Sequence, residues 1–421
     1  MSQLMQQQMA TSKRPRGGLP VFPIDVTAVT EFQGDPVNVC IGSVSYEPNK
    51  GFTLSRNGDL GFEPTTDGIV LDTASGHSLR LWSNRPTYRY VIPQMAKLMF
   101  DVALLGQKDL SRSVAVTKWK MPCNAILEHV ESPITPAFKH RTITELRARN
   151  KVHFRGKLRR FRADVHLELA YEVTGQATGE HNIEPLASFQ IDYRKPRSVS
   201  DILEQEKEVR GFLDFIWMRP HASEYLLLWE KEELMRLNRT VIPPREQTLL
   251  EKTLLFDGVL VYRSFNSWLN KWLELDPAYH RAINNVLRVI RYPQVITDLR
   301  FVMAVHAFEA FHEVDHKAAG LKERLVATAG PMYDYSGLTR SEPLVDYFGR
   351  MVNARNEIIH LRYKAGPILK EEERTKALYE MLTVIRAMVM EKFGASQIEI
   401  QNYCIRSFRS LHRHSYKYTD G

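Results

Sequence analysis

The chain has 421 residues, 43% hydrophobic and 25% charged, a globular balance with length for two or three domains and sizeable cores in at least two places. Its 57 Lys and Arg exceed its 49 Asp and Glu to leave a net charge of +8, which permits an anionic partner such as RNA without requiring one. Three scattered cysteines, Cys40, Cys123 and Cys404, exclude a disulfide framework and a Cys-x-x-Cys metal pair, and no apolar run approaches the ~20 residues that cross a bilayer.

These features lead to the expectation of a soluble protein of the reducing cytoplasm with no membrane partner. Residues 1–18 are rich in Gln, Lys, Arg and Gly, lack the apolar segment of a signal peptide, and read as a disordered basic tail. Residues 19–197 have the texture of strands. Runs such as Val37 to Tyr46, Gly68 to Asp72 and Leu79 to Trp82 are separated by Gly, Asn, Asp and Pro clusters. Asn57-Gly58 reads as a hairpin turn.

Near the end of this region Lys151, His153, Arg155, Lys157 and Arg159 alternate with Val152, Phe154, Gly156 and Leu158. Period two puts the basic residues on one face of a strand and the mostly apolar ones on the other. That face is a candidate RNA contact through Lys151, Arg155, Lys157 and Arg159, or a solvated sheet face.

From 198 to 290 the texture is that of a helical connector. Ser200 is placed to cap a helix entering Ile202 to Trp217. Thr248 to Leu273 reads as one long helix whose Leu255, Val259, Tyr262 and Leu269 share an apolar face. Residues 291–403 read as a helical bundle, with helices over Gln294 to Lys317, Pro343 to Tyr363 and Glu371 to Phe393. Gly394 is placed as a C-cap, and Ser396 with Glu399 has capping-box spacing for one more short helix. Residues 404–421, with Arg406, Arg409, Arg413, His412 and His414, read as a loose basic tail.

The chemistry concentrates in the bundle. On the helix from Pro343, Arg355 interrupts a stripe of Leu344, Phe348, Met351 and Ile358 or Ile359. A guanidinium is costly to bury alone, so it must be paired, open to a cleft or at an interface. Asn356 and His360 share one side of the helix, whereas Arg355 and His360 diverge by roughly 140°. Two helices about a twofold axis would bring such groups together. On the helix from Gln294, His306, Glu309, Glu313 and His316 form a polar stripe, which either faces the cleft, with Glu309 tuning Arg355 or His360, or is a solvated helix face.

The run Arg355-Asn356-Glu357-Ile358-Ile359-His360 resembles the Arg-x4-6-His motif of HEPN ribonucleases. The Ala307-Phe308-Glu309-Ala310-Phe311 segment is similar to the family's Leu-Glu-Ala helix, and Lys392 to Ser396 to its closing helix turn. The Trp272-Leu273 region and the strand-rich first part resemble the layout of anti-phage HEPN proteins of the ApeA kind. The resemblance is specific over about 265–402.

It implies an α+β chain in which a strand-rich N-terminal domain senses or regulates a C-terminal all-α HEPN bundle. The implied activity is RNA cleavage by 2′-OH transesterification without metal or other cofactor. Arg355 would hold the phosphate, His360 would move a proton and Asn356 would orient one of them. RNA, with transfer RNA a guess from the wider family, a phage-derived trigger and a second copy of the chain are the implied partners.

Two other readings stand beside it. His312-Glu313-Val314-Asp315-His316 matches the His-Glu-x-x-His pattern of zinc peptidases, with Glu342 or Glu357 as a third ligand. An HEPN-like bundle can also bind RNA or a partner without cleaving. Set against all of these is a purely structural role, a buried Arg355–Glu309 ion pair that fixes helix packing, with His360 merely at the surface.

Overall fold

A computed structural model describes residues 24–415 apart from 32–41, 48–49, 58–68, 74–76, 83–88, 93–94, 101, 107–109, 111–113, 124–133, 140–141, 149–150, 176–180, 222, 224, 240–247, 316–319, 338–341 and 361–366. The tail expected at 1–18 lies outside the described residues. The fold is α+β.

The strands run β1 (Ile24–Glu31), β2 (Gly42–Glu47), β3 (Gly51–Asn57), β4 (Ile69–Thr73), β5 (Ser78–Trp82), β6 (Arg89–Ile92) and β7 (Met95–Phe100). They continue with β8 (Val102–Gly106), β9 (Val116–Pro122), β10 (Ile134–Lys139), β11 (Thr142–Ala148), β12 (Lys151–Leu158), β13 (Ala163–Gly175) and β14 (His181–Arg197). After the helix α1 (Val199–Trp217) come β15 (Tyr225–Glu230) and β16 (Glu233–Arg239). Fourteen strands form one antiparallel sheet in the order β12-β13-β14-β9-β15-β16-β8-β5-β4-β1-β2-β3-β7-β6, and β10 pairs β11 separately.

The sheet serves two cores, and β8 shows why. Its run Val102-Ala103-Leu104-Leu105 is buried throughout. Val102 and Leu104 pack into a core shared with the helices, while Ala103 and Leu105 face a second core with Phe52, Leu54, Leu71 and Leu81. A strand buried on both faces must be apolar at every position, not at alternate ones. Around the second core the sheet curls: β3 also comes against β8, and the Tyr46 hydroxyl donates to the Arg239 carbonyl at 2.8 Å.

The connector predicted as helical contains the β15–β16 hairpin, which enters the sheet between β9 and β8. Leu226 and Leu228 of its Tyr-Leu-Leu-Leu-Trp run are buried. On the other face Lys118 lies over Trp229 and Arg236 over Tyr225. The turn is closed by Lys231 in the left-handed region, at φ +57°. β3 pairs with β2 and β7. The hairpin turn expected at Asn57-Gly58 lies outside the described residues, since 58–68 follow β3.

The helices after the hairpin are α2 (Leu249–Thr253), α3 (Gly258–Leu273), α4 (His280–Arg291) and α5 (Thr297–Asp315). Next come α6 (Leu321–Arg324), α7 (Gly330–Asp334), α8 (Leu344–His360), α9 (Glu371–Lys392) and α10 (Gln397–Ser415). Ser198, not Ser200, caps α1, in a box with Asp201 that starts the helix two residues earlier. The single helix expected over 248–273 is broken, because Asp257 accepts from the Leu260 amide and starts α3 afresh. Leu255 therefore falls outside α3, and Val259 is 75% exposed while Leu269 is fully buried.

Gly394 ends α9 at φ +81°, and the Glu399 carboxylate accepts from the Ser396 amide at 2.7 Å, as the spacing predicts. The helix that follows is long, not short. It carries Cys404, Phe408 and Leu411 into the core, so the tail expected from 404 is helical to Ser415.

One apolar core joins sheet and helices. Phe154 of β12 lies 4.8 Å from Phe265 of α3 with the rings tilted, Phe265 meets Phe212 of α1 edge-on, and Phe212 meets Phe393 beyond α9. Asn270 docks α3 on the edge strand β12: its amide donates to the Lys157 carbonyl and its oxygen accepts from the Arg159 amide. Gly156 is required there, since a Cβ would lie 2.2 Å from the Asn266 side chain.

Charge is also buried at this junction. Glu206 of α1 pairs with Arg239 of β16 and faces Arg210, and Asp214 pairs with Arg291 of α4 at 2.6 Å. Burial pushes Glu206 up, but Arg210, Arg239 and Arg291 outweigh it and hold the carboxyl below its usual range. The wholly buried His221 imidazole is pushed down to about 3 by desolvation, with Arg219 and Arg210 adding to it. Arg386 of α9, fully buried, donates to the Phe215 and Ile216 carbonyls at the end of α1 and to Tyr403. Those carbonyls lack helical partners, so the cation meets the negative end of the helix dipole there.

Candidate active site

α5 packs Phe301, Ala304, Val305, Phe308 and Phe311 inward and leaves Met303, His306, Glu309 and Ala310 partly open. The polar stripe read from the sequence is thus one edge of an otherwise buried helix. α8 lies beside this edge, with Tyr347, Phe348, Met351 and Ala354 buried. Arg355 follows Ala354, at the rim of that buried face.

From there the Arg355 guanidinium reaches across to α5. Its Nη2 donates to Glu309 Oε2 at 3.2 Å and lies 3.5 Å from His306 Nε2. Its Nη1 donates to Asn356 Oδ1 at 2.9 Å, so Asn356 steadies the guanidinium and does not turn toward His360. The Arg355 side chain is 16% exposed and that of Glu309 25%, so the pair is open to water on one side. His306 is 42% exposed, with Nδ1 3.8 Å from Glu309 Oε2. Its imidazole is shifted below the ordinary range by partial burial and then by Arg355, with Glu309 opposing. His360 is exposed at the last residue of α8.

The sequence placed Arg355 with Glu309 and ranked His306 below them. His306 stands one turn before Glu309 and belongs to the same cluster. Its stripe spacing was the available signal. No family model, curated protein or solved structure matches the chain.

The zinc-peptidase arrangement does not form over the described part of its motif. His312 is 5% exposed and packs against Phe308, while Glu313 points outward to Arg324 at 3.2 Å. α5 ends at Asp315, and His316 is outside the described residues. Glu342, offered as a third ligand, is held by Arg350. Among the described residues no three His, Cys, Asp or Glu side chains gather as a metal site.

The basic strand face is less basic than its sequence. Arg155, Lys157 and Arg159 are exposed, and the side chains of Lys151 and His153 are outside the described residues. On the next strands Lys157 stands opposite Asp164, then Asp192 and Lys118, and Arg155 opposite His166, then Gln190 and Lys120. Glu168 binds Lys120 at 2.6 Å, and His166 lies 3.4 Å from Glu168 and 3.5 Å from Asp192. Side by side, the strands present a mixed-charge surface, which favours the solvated-face reading.

A guanidinium, a carboxylate and an imidazole shifted toward its neutral form, open to water between two packed helices, can bind a phosphodiester and move a proton beside it. Among the described residues no helix is long and apolar enough to cross a membrane.

Proposed function

We propose that the chain is an endoribonuclease of the HEPN kind, acting as a homodimer in the cytoplasm and serving anti-phage defence of the abortive-infection type. The observation that carries the reading is Arg355. It is a cation placed at the water-facing seam of α5 and α8, held by Glu309 and Asn356 and followed five residues on by an exposed His360.

In this mechanism Arg355 binds the scissile phosphate of RNA and offsets the charge that develops on it. An imidazole takes the proton of the ribose 2′-hydroxyl, and O2′ attacks phosphorus. The P–O5′ bond breaks, and O5′ leaves with a proton from a second imidazole. The products are a 2′,3′-cyclic phosphate and a 5′-hydroxyl end. The chemistry needs no metal, because imidazole and guanidinium supply both proton transfer and charge. A twofold-related copy would bring a second Arg355 and His360 to the same RNA. Transfer RNA is the substrate the family suggests, and the strand-rich region would answer to a phage-derived trigger.

A second reading has its own observation. The Arg355–Glu309 pair is also what a packing ion pair between two helices would form, in a bundle that binds RNA or a partner without cleaving.

Wild-type, Arg355→Ala and His360→Ala proteins incubated with total cellular RNA in EDTA, alone and in phage-infected lysate, separate the two. Cleavage by wild type alone, with cyclic-phosphate ends, supports the nuclease. Silence in both settings, or equal cleavage by the variants, refutes it.

A further inference from the structure

Resting on the ribonuclease reading, we infer that His306 is the base of the reaction, taking the 2′-hydroxyl proton within one protomer and leaving His360 of the partner subunit to protonate the leaving oxygen. The argument starts from helix geometry. Arg355 and His360 lie about 140° apart around α8, so the helix that binds the phosphate directs its own imidazole elsewhere. A proton acceptor on the Arg355 side must come from another element.

α5 supplies it. His306 Nε2 stands 3.5 Å from Arg355 Nη2, on the guanidinium edge that also meets Glu309. A phosphate that takes the place of the Glu309 carboxylate on that edge arrives next to Nε2. The other ring nitrogen, Nδ1, lies 3.8 Å from Glu309 Oε2, so the carboxylate that the phosphate displaces from Arg355 can turn to that nitrogen and steady the imidazolium once the proton has moved. The charged groups facing the ring are Arg355 from α8 and Glu309 from its own helix; one turn further on Glu313 is engaged by Arg324 of α6. Desolvation and then Arg355 shift the imidazole below its ordinary range, toward the neutral form a base requires, with Glu309 opposing.

Atoms balance with no further reactant. The proton on O2′ passes to His306 Nε2, the O2′–P bond forms as P–O5′ breaks, and O5′ receives a proton from His360 of the partner subunit, the copy that a twofold axis brings to the same RNA. A later proton exchange with water resets both rings.

The tests are kinetic and spectroscopic. His306→Gln is expected to lower kcat about 10²-fold, within the usual span for losing a general base, and to erase the acidic limb of the pH–rate profile. His306→Ala is expected to regain activity with added free imidazole, which a packing role would not allow. Histidine side-chain NMR with a 2′-O-methyl RNA oligonucleotide, which cannot be cleaved, reads the site without turnover. The His306 resonances should shift in wild type and not in Arg355→Ala. A wild-type kcat and intact acidic limb in His306→Gln, or an unmoved His306 signal on RNA binding, overturns the assignment while leaving the nuclease standing. Full cleavage by Arg355→Ala overturns the nuclease itself.

Discussion

Glu309 Oε2 occupies the place beside Arg355 Nη2 that a phosphate oxygen would need, at 3.2 Å. The cation proposed to bind RNA is therefore already engaged by an internal anion, on a seam that water and substrate can reach. Exposure decides how strong that hold is. Partly exposed pairs are worth roughly 0.2–1 kcal/mol, little enough for a charged ligand to displace.

Glu309→Gln should accordingly bind RNA more tightly. An uncleavable 2′-O-methyl oligonucleotide, followed by fluorescence anisotropy at fixed salt, should show Kd lowered by about three- to tenfold, the last being worth ~1.4 kcal/mol. The melting temperature should move by only a few degrees. Weaker binding would mean that Glu309 helps to hold RNA and does not compete with it.

The buried pair between α1 and β16 should behave in the opposite way. Arg239→Met takes from buried Glu206 its hydrogen-bonded partner and leaves it only the more distant Arg210 and Arg291, at a cost of about 3 kcal/mol in urea unfolding. Adding Glu206→Gln to that variant should recover a large part of the loss. Equal and additive losses would show that the two side chains act by volume alone.

His221 should make stability depend on pH. In the folded chain its imidazole titrates at about 3 against 6.5 when free, so between these values the unfolded chain binds more protons. Its contribution is complete above pH 6.5 and is lost as pH falls toward 3, at up to about 1.4 kcal/mol per unit, or ~2 kcal/mol by pH 5. His221→Leu should flatten the denaturation midpoint between pH 7 and 5. An unchanged slope would place the titration elsewhere.

The seating of α3 on β12 can be tested by one methyl group. Gly156→Ala puts a Cβ 2.2 Å from the Asn266 side chain and should cost about 1–3 kcal/mol through overpacking. Trimming the neighbour in Gly156→Ala with Asn266→Ala should restore most of it. A neutral single variant would mean that α3 is seated less tightly than the Asn270 hydrogen bonds indicate.

What the sequence determined by itself was local. Period two over 154–158 gives β12 with Phe154, Gly156 and Leu158 inward and Arg155 and Lys157 outward, while a shift of register between Val152 and Phe154 breaks the alternation before them. The three-and-four spacing puts Arg355 on a helix and His306 and Glu309 along one edge of another, and Ser396 with Glu399 fixes where α10 begins. These follow from backbone geometry within a few turns. What only the tertiary structure decided was which surfaces meet. Tyr225 to Trp229 became a strand because β9, more than a hundred residues away, offered it an edge while its hairpin partner β16 paired with β8. The basic strand gained acidic neighbours from β13 and β14, and His312 went into the core while Glu313, next to it, met Arg324. A residue's own helix or strand fixes the direction in which it points. What it meets there, water, an ion or a packed ring, depends on contacts between segments far apart in the chain, and burial and pairing set the chemistry of Arg355, Glu309 and His306.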